Sequence, residues 1–214
     1  HNYENGICTA CGKYSEEKTQ GVVYGYDATE NNGKGGYYVG LNQTLNLSVV
    51  EILGTYNDGI HGELSVTYVR FEAFKDNPYI QRVILPESVT DLDGNAFWGC
   101  SKLEFVSMIG VTALNYKEME RPYGMRYGNN NFRECLSLKI VVTSTALSSE
   151  WGQFGAGTAP ATPALDFYVF GESGAPKMNK DDCLLSGKIY YYSETQKSGC
   201  WHYVDDNGNV AIWE

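Results

Sequence analysis

Basic residues are scarce in this 214-residue chain: 16 Lys and Arg stand against 26 Asp and Glu, giving a formal net charge of −10 and an isoelectric point near 4.8. Affinity for nucleic acid comes mainly from cations that neutralise phosphates, so a chain of this sign is not expected to bind it. Long apolar runs are missing too; none approaches the roughly 18 residues of a membrane span. Histidine is limited to His1, His61 and His202. No HExxH, Walker loop or nucleophile elbow occurs, and the Gly155 and Gly157 loop has neither a leading strand nor a following lysine. An enzyme is not expected. The opening residue is His1, not Met, which suggests a start lost to processing or truncation. What is plentiful is tyrosine (17) and glycine (24), a composition that suits a β-rich extracellular protein.

The chain also repeats itself. Val66, Thr67, Val69, Ala73, Phe74, Ile80 and Val83 recur 23 positions on as Val89, Thr90, Leu92, Ala96, Phe97, Leu103 and Val106. Phe132, Cys135, Leu138 and Val141 form a third copy 35 positions after Phe97, Cys100, Leu103 and Val106, so this copy carries an insertion of 12. Apolar residues at fixed offsets with a period between 20 and 29 specify a leucine-rich-repeat solenoid, whose coils bury their apolar faces only by stacking. The expected fold is a β-rich solenoid: a short right-handed coil with strand caps at both ends and a C-terminal β-hairpin. Residues 1–12 read as a CxxCG stump of an upstream module, 13–65 as an N-terminal strand cap and 66–145 as the repeats, with the insertion near 115–131. Residues 146–186 read as an irregular Pro and Gly-rich segment holding one strand-like run, Leu165 to Phe170. Residues 187–214 read as a capping hairpin turning at Asn207 and Gly208, set against the open edge of the solenoid.

Alternation along a strand sends Val83 and Leu85 inward, and Arg82 and Ile84 outward. The outward columns are then Arg82, Phe105 and Ile140 beside Ile84, Ser107 and Val142. Phe74, Phe97 and Phe132 should stack as an inner spine. Asn77, Cys100 and Cys135 share one position at the bend, where a small polar side chain satisfies backbone groups.

The segment VILPESVTDLDGNAFWGCSKLEFV resembles the repeat of the BspA-like bacterial surface proteins, the class first described in a treponemal leucine-rich-repeat protein. The ending IYYYSETQKSGCWHYVDDNGNVAIW resembles a hairpin that closes such repeats in proteins of gut Firmicutes, and ENGICTACG resembles an element that often precedes them. This resemblance implies secretion or surface display and a role in adhesion or protein binding. It implies no enzymatic activity.

Two surfaces are candidates for recognition. One is the apolar outward columns just named, unless the segment from Ala146 to Phe170 folds back over them. The other is the inserted loop, where Tyr116, Lys117, Arg121, Tyr123, Arg126 and Tyr127 gather cations and tyrosines in an acidic chain. The expected partner is a host or bacterial surface protein; a glycan ligand and a simple spacer role are the alternatives. No cofactor is required, although Cys8 and Cys11 have the spacing of two zinc ligands and would need a second pair, from His1, His61, His202 or residues upstream. Cys183 and Cys200 flank the first closing strand and could form a disulfide in an oxidising compartment. Cys100 and Cys135 are expected to be buried free thiols.

Overall fold

The computed structural model describes residues 1–40, 43, 45–114, 131–149, 154, 165–171 and 187–214. They form the expected β-solenoid. One face is a parallel six-stranded sheet in the order Ile189–Tyr191, Asp166–Phe170, Ile140–Ser144, Phe105–Ser107, Arg82–Ile84, Val49–Glu51. Its register is continuous, since Val50 pairs with Val83, Val83 with Val106, Val106 with Val141, and Val141 with Phe167. Val50, Val83, Val106 and Val141 are all fully buried, because alternation turns this whole row inward.

The opposite sheet runs Ser148–Ser149, Ala113–Leu114, Asp91–Leu92, Glu63–Val69, Gly36–Val39, Tyr24–Asp27, with Thr55–Asn57 paired to Glu63–Val69 off this path. Its outermost pair, Tyr24–Asp27 against Gly36–Val39, is antiparallel and forms the N-terminal cap.

Between the sheets the chain bends around an aromatic spine. Phe74, Phe97, Phe132 and Phe154 stack with centroid separations of 5.3, 5.5 and 5.1 Å and ring planes within 12° of one another. Phe167 meets Phe154 edge-on at 5.6 Å and ends the stack. At the same bend the Asn77 side chain accepts the N–H groups of Tyr79 and Ile80 and donates to the Leu45 carbonyl. Cys100 and Cys135 take over part of that task, their thiols donating to the carbonyls of Phe74 and Phe97, each at 3.1 Å. The turn next to this column needs a left-handed backbone, and Asp76, Gly99 and Glu134 supply it at matching positions with φ of 57°, 76° and 62°. Where this coil crosses its neighbour the side chain disappears altogether: a Cβ on Gly110 would lie 2.2 Å from the Glu87 carbonyl oxygen.

The cysteine column makes a chemical prediction. Burial pushes the Cys100 thiol up to about 12, and the Cys135 thiol well above its ordinary range. The thiolate is the reactive form, so both should resist iodoacetamide at pH 8 while the chain is folded, and Cys11, which is partly exposed, should react in chelator-treated protein. Peptide mass spectrometry after native labelling checks this; modification of Cys100 or Cys135 at the rate of Cys11 would contradict it.

The structure departs from the sequence reading in three places. The solenoid does not end near Thr145, because Phe154 joins the spine and Asp166–Phe170 is a full strand of the main sheet. Residues 1–12 are not a loose stump: Tyr3–Glu4 pairs with Ile7–Cys8, and the following Tyr14 N–H donates to the Asn57 carbonyl. The closing hairpin, Trp201–Tyr203 against Val210–Ile212, meets the open edge through a single Tyr192–Trp201 bridge and does not extend the sheet there. Ile189–Tyr191 occupies that edge, and the hairpin crosses the outer face of the six-stranded sheet.

Candidate functional site

The outward columns are where recognition was expected, and they are covered. Phe105 pairs with Arg82 and Ile140, and Ser107 with Ile84 and Val142, as the register requires. Tyr168 then extends the Val142 column, and Tyr190 extends it again. Upon this face lies Trp201, with no exposed surface, its ring 4.7 Å from Phe170, 4.9 Å from Tyr192 and 5.8 Å from Tyr168. Its indole N–H donates to the Val169 carbonyl at 3.1 Å. At the hairpin tip the Arg82 guanidinium donates to the Gly208 carbonyl while lying 3.5 Å from the centre of the Phe105 ring. Asp205 braces that tip by accepting the N–H groups of Asn207 and Asn209.

Phe105, Ser107 and Val142 are therefore buried, and Arg82, Ile84 and Ile140 half-buried; Phe105, Val142 and Ile140 belong to a second core around Trp201. The cover is the closing hairpin; of the Ala146 to Phe170 segment, Phe154 serves as spine and Asp166–Phe170 as strand. Tyr116, Lys117, Arg121, Tyr123, Arg126 and Tyr127 of the inserted loop lie outside the described residues, as does Cys183, the expected partner of Cys200.

A different surface comes into view at the bend. The repeat register places Lys75, Trp98 and Arg133 in one column, with Lys75 Nζ 5.1 Å and Arg133 Cζ 5.0 Å from the Trp98 ring. Both approaches fall within cation–π range. Tyr79 and Leu136 emerge beside the column with 43% and 45% of their surface exposed. Lys75 is held by Glu72 at 2.8 Å. The flank thus combines aromatic, aliphatic and charged groups, with Glu134 3.7 Å from Arg133 as Glu72 is beside Lys75. The signal for it was present in the sequence, since positions 75, 98 and 133 follow the same offsets as the phenylalanine spine.

At the N-terminal end His1, Cys8 and Cys11 converge, their ligand atoms all within 4.8 Å of one another. His1 Nδ1 is 3.1 Å from Cys8 Sγ and 3.6 Å from Cys11 Sγ. His61 and His202 stand elsewhere: His61 is 2.7 Å from Asp58 and stacks on Tyr26, and His202 stacks on Trp213. Burial pushes the Asp58 carboxyl up, but hydrogen bonds from the backbone and ring of His61, the Ile60 N–H and the Tyr37 hydroxyl outweigh it and hold Asp58 at about 2.

A cleft of about 410 Å³ lies nearby, lined by Tyr3, Tyr14, Tyr24 and Tyr56 among others. Its tyrosines do not form a planar display for sugar rings. Tyr24 and Tyr56 stack on each other at 4.6 Å, and Tyr14 meets Tyr56 edge-on.

No protein-family model and no curated protein matches the chain. Two solved structures are similar. A leucine-rich repeat protein from Bacteroides ovatus aligns at 19% identity and a TM-score of 0.48, over 83% of this chain and 43% of that one. A leucine rich cell surface protein from Faecalibacterium prausnitzii aligns at 15% identity and a TM-score of 0.43, over 89% of this chain and 59% of that one. The chain thus spans less than two thirds of the length of either.

Proposed function

We propose that this chain is a non-catalytic recognition module of the BspA-like, treponemal-type repeat class, displayed at a bacterial surface or secreted, and that it binds a protein partner in an adhesion-type role. The observation that carries this reading is the Lys75, Trp98 and Arg133 column with Tyr79 and Leu136 beside it. Tryptophan, tyrosine and arginine dominate the residues that anchor protein interfaces, and here cation–π contacts hold Trp98 and Arg133 together, which lowers the side-chain entropy they would lose on binding. The mixture of cations with apolar groups suits an acidic protein surface with apolar patches better than a sugar, which takes flat exposed rings.

The test is a binding screen of the purified chain against extracellular-matrix proteins and glycan arrays, with a Trp98→Ala, Arg133→Ala double variant run in parallel. The expected result is a protein ligand whose affinity falls roughly tenfold or more in the variant, whose circular dichroism is unchanged. A glycan ligand, or a protein ligand indifferent to the double substitution, would overturn the assignment. Silence on every surface would favour a spacer.

A further inference from the structure

We propose that His1, Cys8 and Cys11 supply three ligands of a binding site for one zinc ion. The local fold brings the three groups together. Asn5 and Gly6, with φ of 49° and 75°, make the tight turn that pairs Tyr3 with Cys8 and Glu4 with Ile7. The Thr9 N–H then donates to the Asn2 carbonyl at 3.0 Å, which carries His1 back alongside the cysteine loop. The loop itself closes through the Gly12 N–H on the Cys8 carbonyl at 2.9 Å, and Gly12 has φ of 75°. Its outer side is packed: a Cβ on Gly12 would lie 2.7 Å from Asn57 Nδ2, and one on Gly59 would lie 3.0 Å from Cys11 Sγ. The two sulfurs therefore sit on a docked knuckle, not on a free tail.

The His1–Cys11 separation is that of two ligands on one cation, and the His1–Cys8 separation is about half an ångström short of it. Tetrahedral zinc, with Zn–S of about 2.3 Å and Zn–N of about 2.0–2.1 Å, sets sulfur and nitrogen about 3.6 Å apart. The two observed separations are 3.1 and 3.6 Å. A neutral imidazole nitrogen carries either one lone pair or one proton, so by hydrogen bonding it satisfies one sulfur at a time. A cation at the common centre uses the nitrogen and both sulfurs at once. Among the described residues no fourth His, Cys, Asp or Glu joins the group. Binding releases the two thiol protons to solvent and leaves both sulfurs as thiolates.

The experiment uses the full chain, reduced, stripped with chelator and titrated with zinc alone, with cobalt(II) as the spectroscopic probe. The expected result is one equivalent bound per chain, a thiolate-to-cobalt charge-transfer band, and a loss of zinc affinity of about tenfold or more in both Cys11→Ser and His1→Ala. His61→Ala should bind as the parent does. His1 is exposed, so its variant tests the site even where a cysteine change disturbs the knuckle. A reduced chain that binds no metal would overturn the proposal, as would binding unaffected by both variants or a Cys8–Cys11 disulfide in the freshly purified protein.

Discussion

Replacing Trp201 with alanine is expected to destabilise the protein by about 3–5 kcal/mol, the cost of emptying a site filled by a large aromatic residue. The side chain has no exposed surface, touches four other aromatic rings and donates its indole N–H to the Val169 carbonyl. Removing it takes away the anchor between hairpin and sheet and leaves that carbonyl with the Tyr192 N–H as its remaining donor. Because the hairpin is the cover over Phe105 and Val142, those side chains should become accessible as it loosens, and a hydrophobic dye should bind below the main unfolding transition. Urea unfolding monitored by circular dichroism and by dye fluorescence checks both effects. A loss below about 1 kcal/mol with no dye binding would mean that the hairpin is only a decoration. Alanine at Phe105 and Ile140 together should also cost stability, since both side chains belong to the second core.

Phe97→Ala should be of similar size, about 3–5 kcal/mol, for a different reason. Phe97 is fully buried with rings stacked on both sides, Phe74 at 5.3 Å and Phe132 at 5.5 Å, so its removal opens a gap that neither neighbour can fill without leaving its own place in the stack. A double-mutant cycle with Phe132→Ala should show coupling, because once Phe97 is gone Phe132 has already lost one stacking face. Chemical denaturation of the two single variants and the double variant is the measurement. Strict additivity would show that the spine is a row of independent contacts.

The repeat was legible because strand pairing in a solenoid tolerates no slip. Val83 must face Val106, and any local insertion is pushed into the loops, so the offset survives in the sequence at position after position. The bend column was legible for a similar reason, since Asn77, Cys100 and Cys135 each meet the preceding coil's backbone. The continuation beyond Thr145 was lost because the offsets change: Phe154 follows Phe132 by 22 positions and Phe167 follows Val141 by 26, so a fixed-period comparison no longer registers them. The fate of the outward columns was not a local matter at all. Whether Phe105 meets solvent depends on where a hairpin about a hundred residues later comes to rest. The N-terminal knuckle did carry a signal in the sequence: Asn5 and Gly6 are the same dipeptide as Asn207 and Gly208, and Asn5 and Gly6 both adopt positive φ in the tight turn that returns His1 to the cysteines.

The hairpin has one more consequence. In a stack of coils each strand bonds only to its neighbours, so stability is close to a sum of nearest-neighbour terms and the end coils can fray by themselves. Here Trp201 rests on the Asp166–Phe170 strand while Gly208 reaches Arg82, with the Phe105–Ser107 and Ile140–Ser144 strands lying between them. That contact joins coils that share no strand pairing. Fraying one of them means giving up the hairpin's hold on the rest, and a modular stack becomes a single cooperative unit.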